Sequence, residues 1–258
     1  MSQIKIAVIN ESTVVKDADV AAAVHALQTQ VHDHFAPAWG IDADLTIVPK
    51  TVRPPDGSWW LVILDNADQA GALGYHDVTN EGLPLGKVFA RTTMIDGGVW
   101  TVTASHELLE MLGDPEINLT VFVQKGQQNA GRMYAYEVCD ACEDDQFGYK
   151  IGNVLVSDFV YPAWFETFRK KNSTQFDYKS HMHSPLPLLL PGGYIGIFDI
   201  TAGNGWQQLT ADAAIRYSSR PHVGSRRERR RTQRDQWQVS DVFTPEAASR
   251  RARLEAGV

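Results

Sequence analysis

The residues of this chain whose types and spacing point most directly to chemistry are His106, Glu107 and Glu110, in the run Ser105-His106-Glu107-Leu108-Leu109-Glu110. Side chains four apart on a helix lie on one face, so His106 and Glu110 can reach one metal ion together. Glu107 is displaced round the helix, where it can meet a metal-bound water instead. This is the spacing of H-E-x-x-H with the second histidine replaced by glutamate. Imidazole and carboxylate are both accepted zinc ligands. The added carboxylate makes the site more anionic and shifts it toward harder ions. Zn2+ is the expected cofactor, with Mn2+ or Ca2+ as alternatives. The competing reading is an ordinary amphipathic helix: Leu108, Leu109, Met111 and Leu112 pack inward, and both glutamates are simply solvated.

The motif needs a helix, and the sequence supplies one over roughly 99–112. It ends at Gly113-Asp114-Pro115, a glycine suited to a left-handed cap and a proline that cannot continue the helix. Upstream, Ile4 to Ile9 reads as a buried strand, and Asp17 to Phe35 as a helix with Val20, Ala23, Val24, Leu27, Val31 and Phe35 on one face. Two further strands, Ala43 to Val48 and Trp59 to Leu64, flank the turn-rich Pro54-Pro55-Asp56-Gly57-Ser58. Asn66 to Pro84 reads as a surface loop, and Gly86 to Thr92 as a candidate edge strand just before the motif helix. Downstream, Arg132 to Val138, Lys150 to Val156 and Tyr194 to Ile200 read as strands, and Phe159 to Lys171 as a short helix restricted by Pro162. From Thr210 the sequence suits a helix and then an arginine-rich tail.

The order of these elements, with H-E-x-x-E on the helix after a strand, resembles the N-terminal subdomain of zincin metallopeptidases. More closely, His106-Glu107-Leu108-Leu109-Glu110, Asp114-Pro115 and Glu137-Val138-Cys139-Asp140-Ala141-Cys142 resemble a pattern in exordium-like and related uncharacterised bacterial and phage proteins. That pattern is a G/S-H-E-L-x-E helix, a D-P after it and a later E-I-G-D-x-C; here Cys139 stands at the glycine. It covers roughly residues 100–145, with a weaker likeness at Phe159-Val160-Tyr161-Pro162-Ala163-Trp164-Phe165 and Pro191-Gly192-Gly193-Tyr194.

The resemblance implies an α+β, zincin-like fold. A twisted mixed sheet would carry an N-terminal backing helix and an active-site helix, with a smaller irregular C-terminal lobe. The expected zincin-like domain is residues 1–215, with lobes of about 1–115 and 116–215, followed by an Arg-rich extension over 216–258. For the third metal ligand the resemblance favours Glu137, then Asp140. In the metzincin frame H-E-x-x-H-x-x-G-x-x-H, Gly113 matches and Glu116 takes the last position, so Glu116 follows on spacing alone. Cys142 is a softer option. Met182, in Ser180-His181-Met182-His183, matches a metzincin Met-turn only in following the site, and His181 and His183 read as surface residues.

The implied activity is metal-dependent hydrolysis of a peptide or protein substrate. Glu107 would be the general base, and Tyr136, Tyr149 or His76 would help at the oxyanion. The alternative is a catalytically inactive zincin-like structural or interaction protein, such as a virion component, holding a structural cation. Homo-oligomer or virion assembly would then supply its partners.

Composition narrows the rest. No apolar run approaches the roughly 20 residues of a membrane span, and no secretory signal is expected at Met1-Ser2-Gln3-Ile4-Lys5-Ile6; the sequence does not fix a location, and a cytoplasmic or virion-associated protein is the expectation. The net charge of −7 conceals a balance of −13 over residues 1–215 and +6 over 216–258. The Arg226–Arg234 run could bind nucleic acid, but the acidic body makes docking on the protein itself the preferred reading. Cys139 and Cys142 are the only cysteines, too few for a disulfide framework or an all-thiolate zinc site. A redox C-x-x-C is disfavoured by the polar loop that follows it.

Overall fold

The computed structural model describes residues 4–211 apart from 70, 80, 127–129 and 203–204. The expected extension over 216–258, and nearly all of the helix expected from Thr210, lie outside the described residues.

The fold is mixed α+β. Strands β1 (Ile4–Asn10), β2 (Ala43–Val48), β3 (Trp59–Leu64), β4 (Gly74–Val78) and β5 (Pro84–Phe89) form one sheet in the order β2-β1-β3-β5-β4. All neighbours are parallel except β4, which pairs antiparallel with β5. The inner strands read as nearly continuous apolar runs because both faces of the sheet are covered. Ile6, Val8, Leu61, Ile63 and Val88 face the main core; Ala7, Ile9, Val62 and Leu85 face a smaller cluster with Val48. Polar residues interrupt β2, which lies at one edge.

Two places in this sheet differ from the sequence reading. Gly86 to Thr92 is not an edge strand: β5 lies between β3 and β4, and its last residues turn into helix α3 (Ala90–Ile95). The edge is β4, inside the stretch read as a loop. Its sequence Gly-Tyr-His-Asp-Val has no apolar alternation to betray it.

Helix α1 (Asp17–Thr29) continues without a break through a π-helical segment, Gln30–Phe35, into α2 (Ala36–Trp39). Pro37 has no N–H and its ring would crowd the preceding turn of a regular α-helix. The wider π turn, with the Ala36 N–H bonded to the Val31 carbonyl, carries the chain past it. The helix therefore runs beyond the expected Phe35 and ends at Gly40, whose φ of +69° forms a left-handed cap.

Helix α4 (Trp100–Gly113) packs beside α1 on the same face of the sheet, through Ala104, Leu108, Leu109, Met111 and Leu112. Its start is held by Asp145, which accepts a hydrogen bond from the Val99 N–H at 2.8 Å. Gly113 is the last helical residue and not the expected left-handed cap, which Asp114 replaces at φ −144°; the glycine has a packing reason instead, since a Cβ there would come within 2.9 Å of Val138 Cγ1.

After α4, strands β6 (Thr120–Gln124), β7 (Gly131–Ala135), β10 (Tyr194–Asp199) and β11 (Trp206–Thr210) form an antiparallel sheet in the order β11-β10-β7-β6. The expected single strand Lys150 to Val156 is a hairpin, β8 (Tyr149–Ile151) and β9 (Val154–Val156), which turns through Gly152 at φ +59°. The expected helix over Phe159 to Lys171 shrinks to a 3-10 turn at Pro162–Phe165. A second core gathers Trp164, Phe165, Phe176, Met182, Leu190, Ile195 and Ile197. Val138, Cys139, Tyr149, Val156 and Phe159 belong instead to the first core, so residues beyond 115 complete the wall behind α4. Among the described residues no helix is long and apolar enough to cross a membrane.

Candidate metal centre

The orientation of α4 is fixed one residue before the motif. The Ser105 hydroxyl donates to Gln30 Oε1 at 2.6 Å and accepts from the Ser157 N–H at 3.0 Å. The Gln30 amide in turn donates to the Ser157 carbonyl at 2.8 Å and to the Tyr149 hydroxyl at 3.2 Å. All these groups are buried, so the network ties the π segment, α4 and the end of β9 at one point.

The next residue, His106, points its Nε2 at two carboxylates: Glu110 Oε1 at 3.5 Å and Asp140 Oδ1 at 3.2 Å. The three donor atoms lie within 4.8 Å of one another. Metal bonds of roughly 2.0–2.2 Å place tetrahedral ligands roughly 3.3–3.6 Å apart, so these separations suit one ion. Asp140 arrives on a 3-10 turn, Asp140–Cys142, and the Cys139 N–H donates to Glu110 Oε1 at 3.3 Å. Behind this turn Gly193 approaches so closely that a Cβ would lie 2.4 Å from the Ala141 carbonyl oxygen. That contact accounts for Pro191-Gly192-Gly193 as a partner of the Cys139–Cys142 turn.

Asp140 Oδ2 is buried and has no hydrogen-bond partner among the described residues. Leaving a carboxylate oxygen so is costly unless a cation lies against it. Burial alone would push the His106 imidazole toward its neutral form, but Glu110 and Asp140 outweigh it and raise its pKa well above the usual value.

A second set of donors meets the same glutamate. His76 Nδ1, on β4, lies 3.6 Å from Glu107 Oε2 and 3.6 Å from Glu110 Oε2. Of the three residues expected at the oxyanion, His76 is the one placed beside the motif. The Tyr149 hydroxyl is engaged by Gln30 and by His34 Nδ1, and burial pushes its pKa upward. The Tyr136 ring stacks on Phe165 with centroids 4.3 Å apart.

Of the candidate third ligands, Asp140 joins His106 and Glu110. Glu137 is buried on the same segment but enters neither set of three, and Glu116 is exposed beyond the helix end. Asp114 is wholly buried, and its two oxygens accept the N–H groups of Asn118 and Leu119 at 3.0 Å each, so it shapes the loop. Burial pushes both cysteine thiols well above their usual range, which suits inert core residues rather than a redox pair.

His181, read from sequence as a surface residue, contacts Asp158 and Asp177, both of which are buried. No local motif in the sequence joins these three residues. Comparison of the chain with protein-family profiles, with curated proteins and with solved structures finds no match.

Proposed function

We propose that this chain is a metal-dependent hydrolase of the zincin type, acting on peptide bonds through a water held at His106, Glu110 and Asp140. The observation that carries the reading is the convergence of those three donors on one point, with the Asp140 Oδ2 atom buried and unpartnered beside it. The imidazole favours a transition metal, zinc first and manganese second, over calcium, which prefers a larger shell of oxygens. A divalent ion bound there supplies a Lewis acid for a substrate carbonyl and brings the pKa of its water toward neutrality.

The protein's own groups divide the remaining work. Glu107, next to His106 on α4 but outside the triad, would accept the water proton and return it to the leaving amine. His76 keeps an imidazole nitrogen against Glu107 and Glu110, where it orients the base or donates to developing negative charge. Strand β4 is a sheet edge directly against α4, which suits an extended peptide adding to the sheet.

Metal analysis of purified protein, with Glu107→Ala and His106→Ala beside the wild type, tests this. The expected result is one equivalent of transition metal bound at this centre, which His106→Ala loses. Peptide cleavage should disappear in Glu107→Ala while the metal stays. Metal retained with no cleavage across a broad peptide library would favour the inactive structural reading, and an unaltered metal content in His106→Ala would sink the site.

A further inference from the structure

Asp158 and Asp177 are both wholly buried, and neither belongs to the centre at His106. They come from segments that meet at an isolated bridge between Val160 and Asp177. Backbone N–H groups fix each carboxylate. Asp158 Oδ1 accepts from Phe159 at 2.8 Å and from Lys179 at 3.2 Å. Asp177 Oδ1 accepts from Met182 at 2.8 Å, and its Oδ2 accepts from His181 at 2.8 Å. The same loop then turns the His181 side chain back, so that Nδ1 lies 3.3 Å from Asp158 Oδ2 and 3.7 Å from Asp177 Oδ2. One atom from each of the three residues falls within 4.8 Å of the others.

Two carboxyl groups sealed from water and facing each other need a proton or a cation between them. Among the described residues no lysine or arginine forms an ion pair with either. Cys142 is buried in one apolar cluster with Val160, Phe176 and Met182, which lie on the segments that carry the two aspartates. Access is available from one side, since 36% of the His181 side chain remains exposed.

We infer that Asp158, Asp177 and His181 form a second metal site, separate from the His106 centre, that takes a divalent transition-metal ion such as zinc. The donor set of two carboxylates and an imidazole matches that class of ion, and the separations of 3.3 and 3.7 Å match the edges of its coordination shell. The ion would staple the segment after β9 to the Asp177–Met182 loop. Both pack behind Cys142, on the turn that carries Asp140, so the role is structural support for the first centre. This inference does not depend on the chain being a hydrolase.

The test is a zinc titration of the full chain after chelator stripping, followed by calorimetry, with cobalt absorption as a second readout. Wild type, His106→Ala, His181→Ala, Asp177→Asn and the His106→Ala/His181→Ala double variant are compared. The expected result is two equivalents in wild type, one in each single variant and none in the double variant. Zinc should also raise the Tm of His106→Ala but not that of the double variant. Because His181 is partly exposed, its alanine variant carries the test if Asp177→Asn fails to fold. Full wild-type stoichiometry in His181→Ala overturns the inference and leaves the proposed function standing. Loss of all zinc in His106→Ala overturns it equally, because the second site would then hold nothing by itself.

Discussion

Gly74 and Glu107 meet across the interface of β4 and α4 with no room for another side chain. A Cβ added at Gly74 would lie 2.8 Å from Glu107 Oε1, and also 2.7 Å from Thr103 Cγ2. The strand that carries His76 is thus the same strand whose backbone sets where the Glu107 carboxylate rests. Substituting Gly74→Ala should cost about 1–3 kcal/mol in overpacking. Displacing the base by part of an ångström should lower kcat by roughly 10–100-fold, with the metal stoichiometry unchanged. Thermal unfolding, steady-state kinetics and metal content on one preparation check all three. An unchanged Tm and kcat would mean that the strand does not position the base.

The assignment of the third ligand makes a ranking prediction. Asp140→Asn keeps the side-chain shape but removes the charge facing His106 Nε2 at 3.2 Å. Its metal affinity should fall by more than the roughly 10–100-fold expected for an outer-shell partner. Glu137→Gln should fall less, because Glu137 is not in the triad. Competition against a chelator of known affinity measures both, and the reverse ranking would return the ligand position to Glu137.

How much of this could be read from residues alone differs from place to place. The motif helix was legible because Pro115 cannot continue it and its apolar positions keep a helical period, although the left-handed cap expected at Gly113 does not form. β1 and β3 were legible as apolar runs, since burial on both faces leaves no other composition. β4 was not, because its Tyr75, His76 and Asp77 are buried polar residues, and polar residues between glycines read as a loop. His76 was therefore an unranked candidate until its strand was placed. The π segment was hidden for a different reason. Pro37 signals a helix end in sequence, and only packing shows the chain widening to pass it. The choice of Asp140 over Glu137 rests on a one-turn geometry after Cys139 that spacing does not encode, and the Asp158, Asp177 and His181 cluster joins segments with no local signature.

The Ser105–Gln30 contact predicts a stability effect. Either Ser105→Ala or Gln30→Leu orphans buried partners, at a cost of about 1–3 kcal/mol for each group left unsatisfied. The two residues share one network with Ser157, so the double variant should cost less than the sum of the singles, with a coupling of roughly 0.5–3 kcal/mol. Denaturant unfolding of the four proteins gives the coupling directly. Strict additivity would show that the hydroxyl and the amide act separately.

A second anchor, remote from the centre, makes a prediction about acid. Asp65, just after β3, accepts the Ser12 hydroxyl at 2.6 Å and the Thr13 N–H at 2.8 Å through Oδ1. Through Oδ2 it accepts the Thr13 hydroxyl at 2.5 Å and Arg91 Nη2 at 2.9 Å. Burial alone would raise its pKa, but the Ser12 and Thr13 hydroxyls and the backbone N–H groups of Thr13 and Val14 outweigh that and hold it at about 2. The unfolded chain protonates the same group near pH 3.9. A carboxyl depressed on folding contributes stability that is fully present above the unfolded value and is lost as pH falls through the folded one. Wild type should therefore exceed Asp65→Asn in stability by a constant margin above about pH 5, and the margin should shrink between about pH 4 and pH 2. Urea midpoints of the two proteins measured from pH 7 down to pH 2.5 would show this. A margin that stays flat across that range would mean the carboxylate charge is not what joins the loop after β1 to the end of β3.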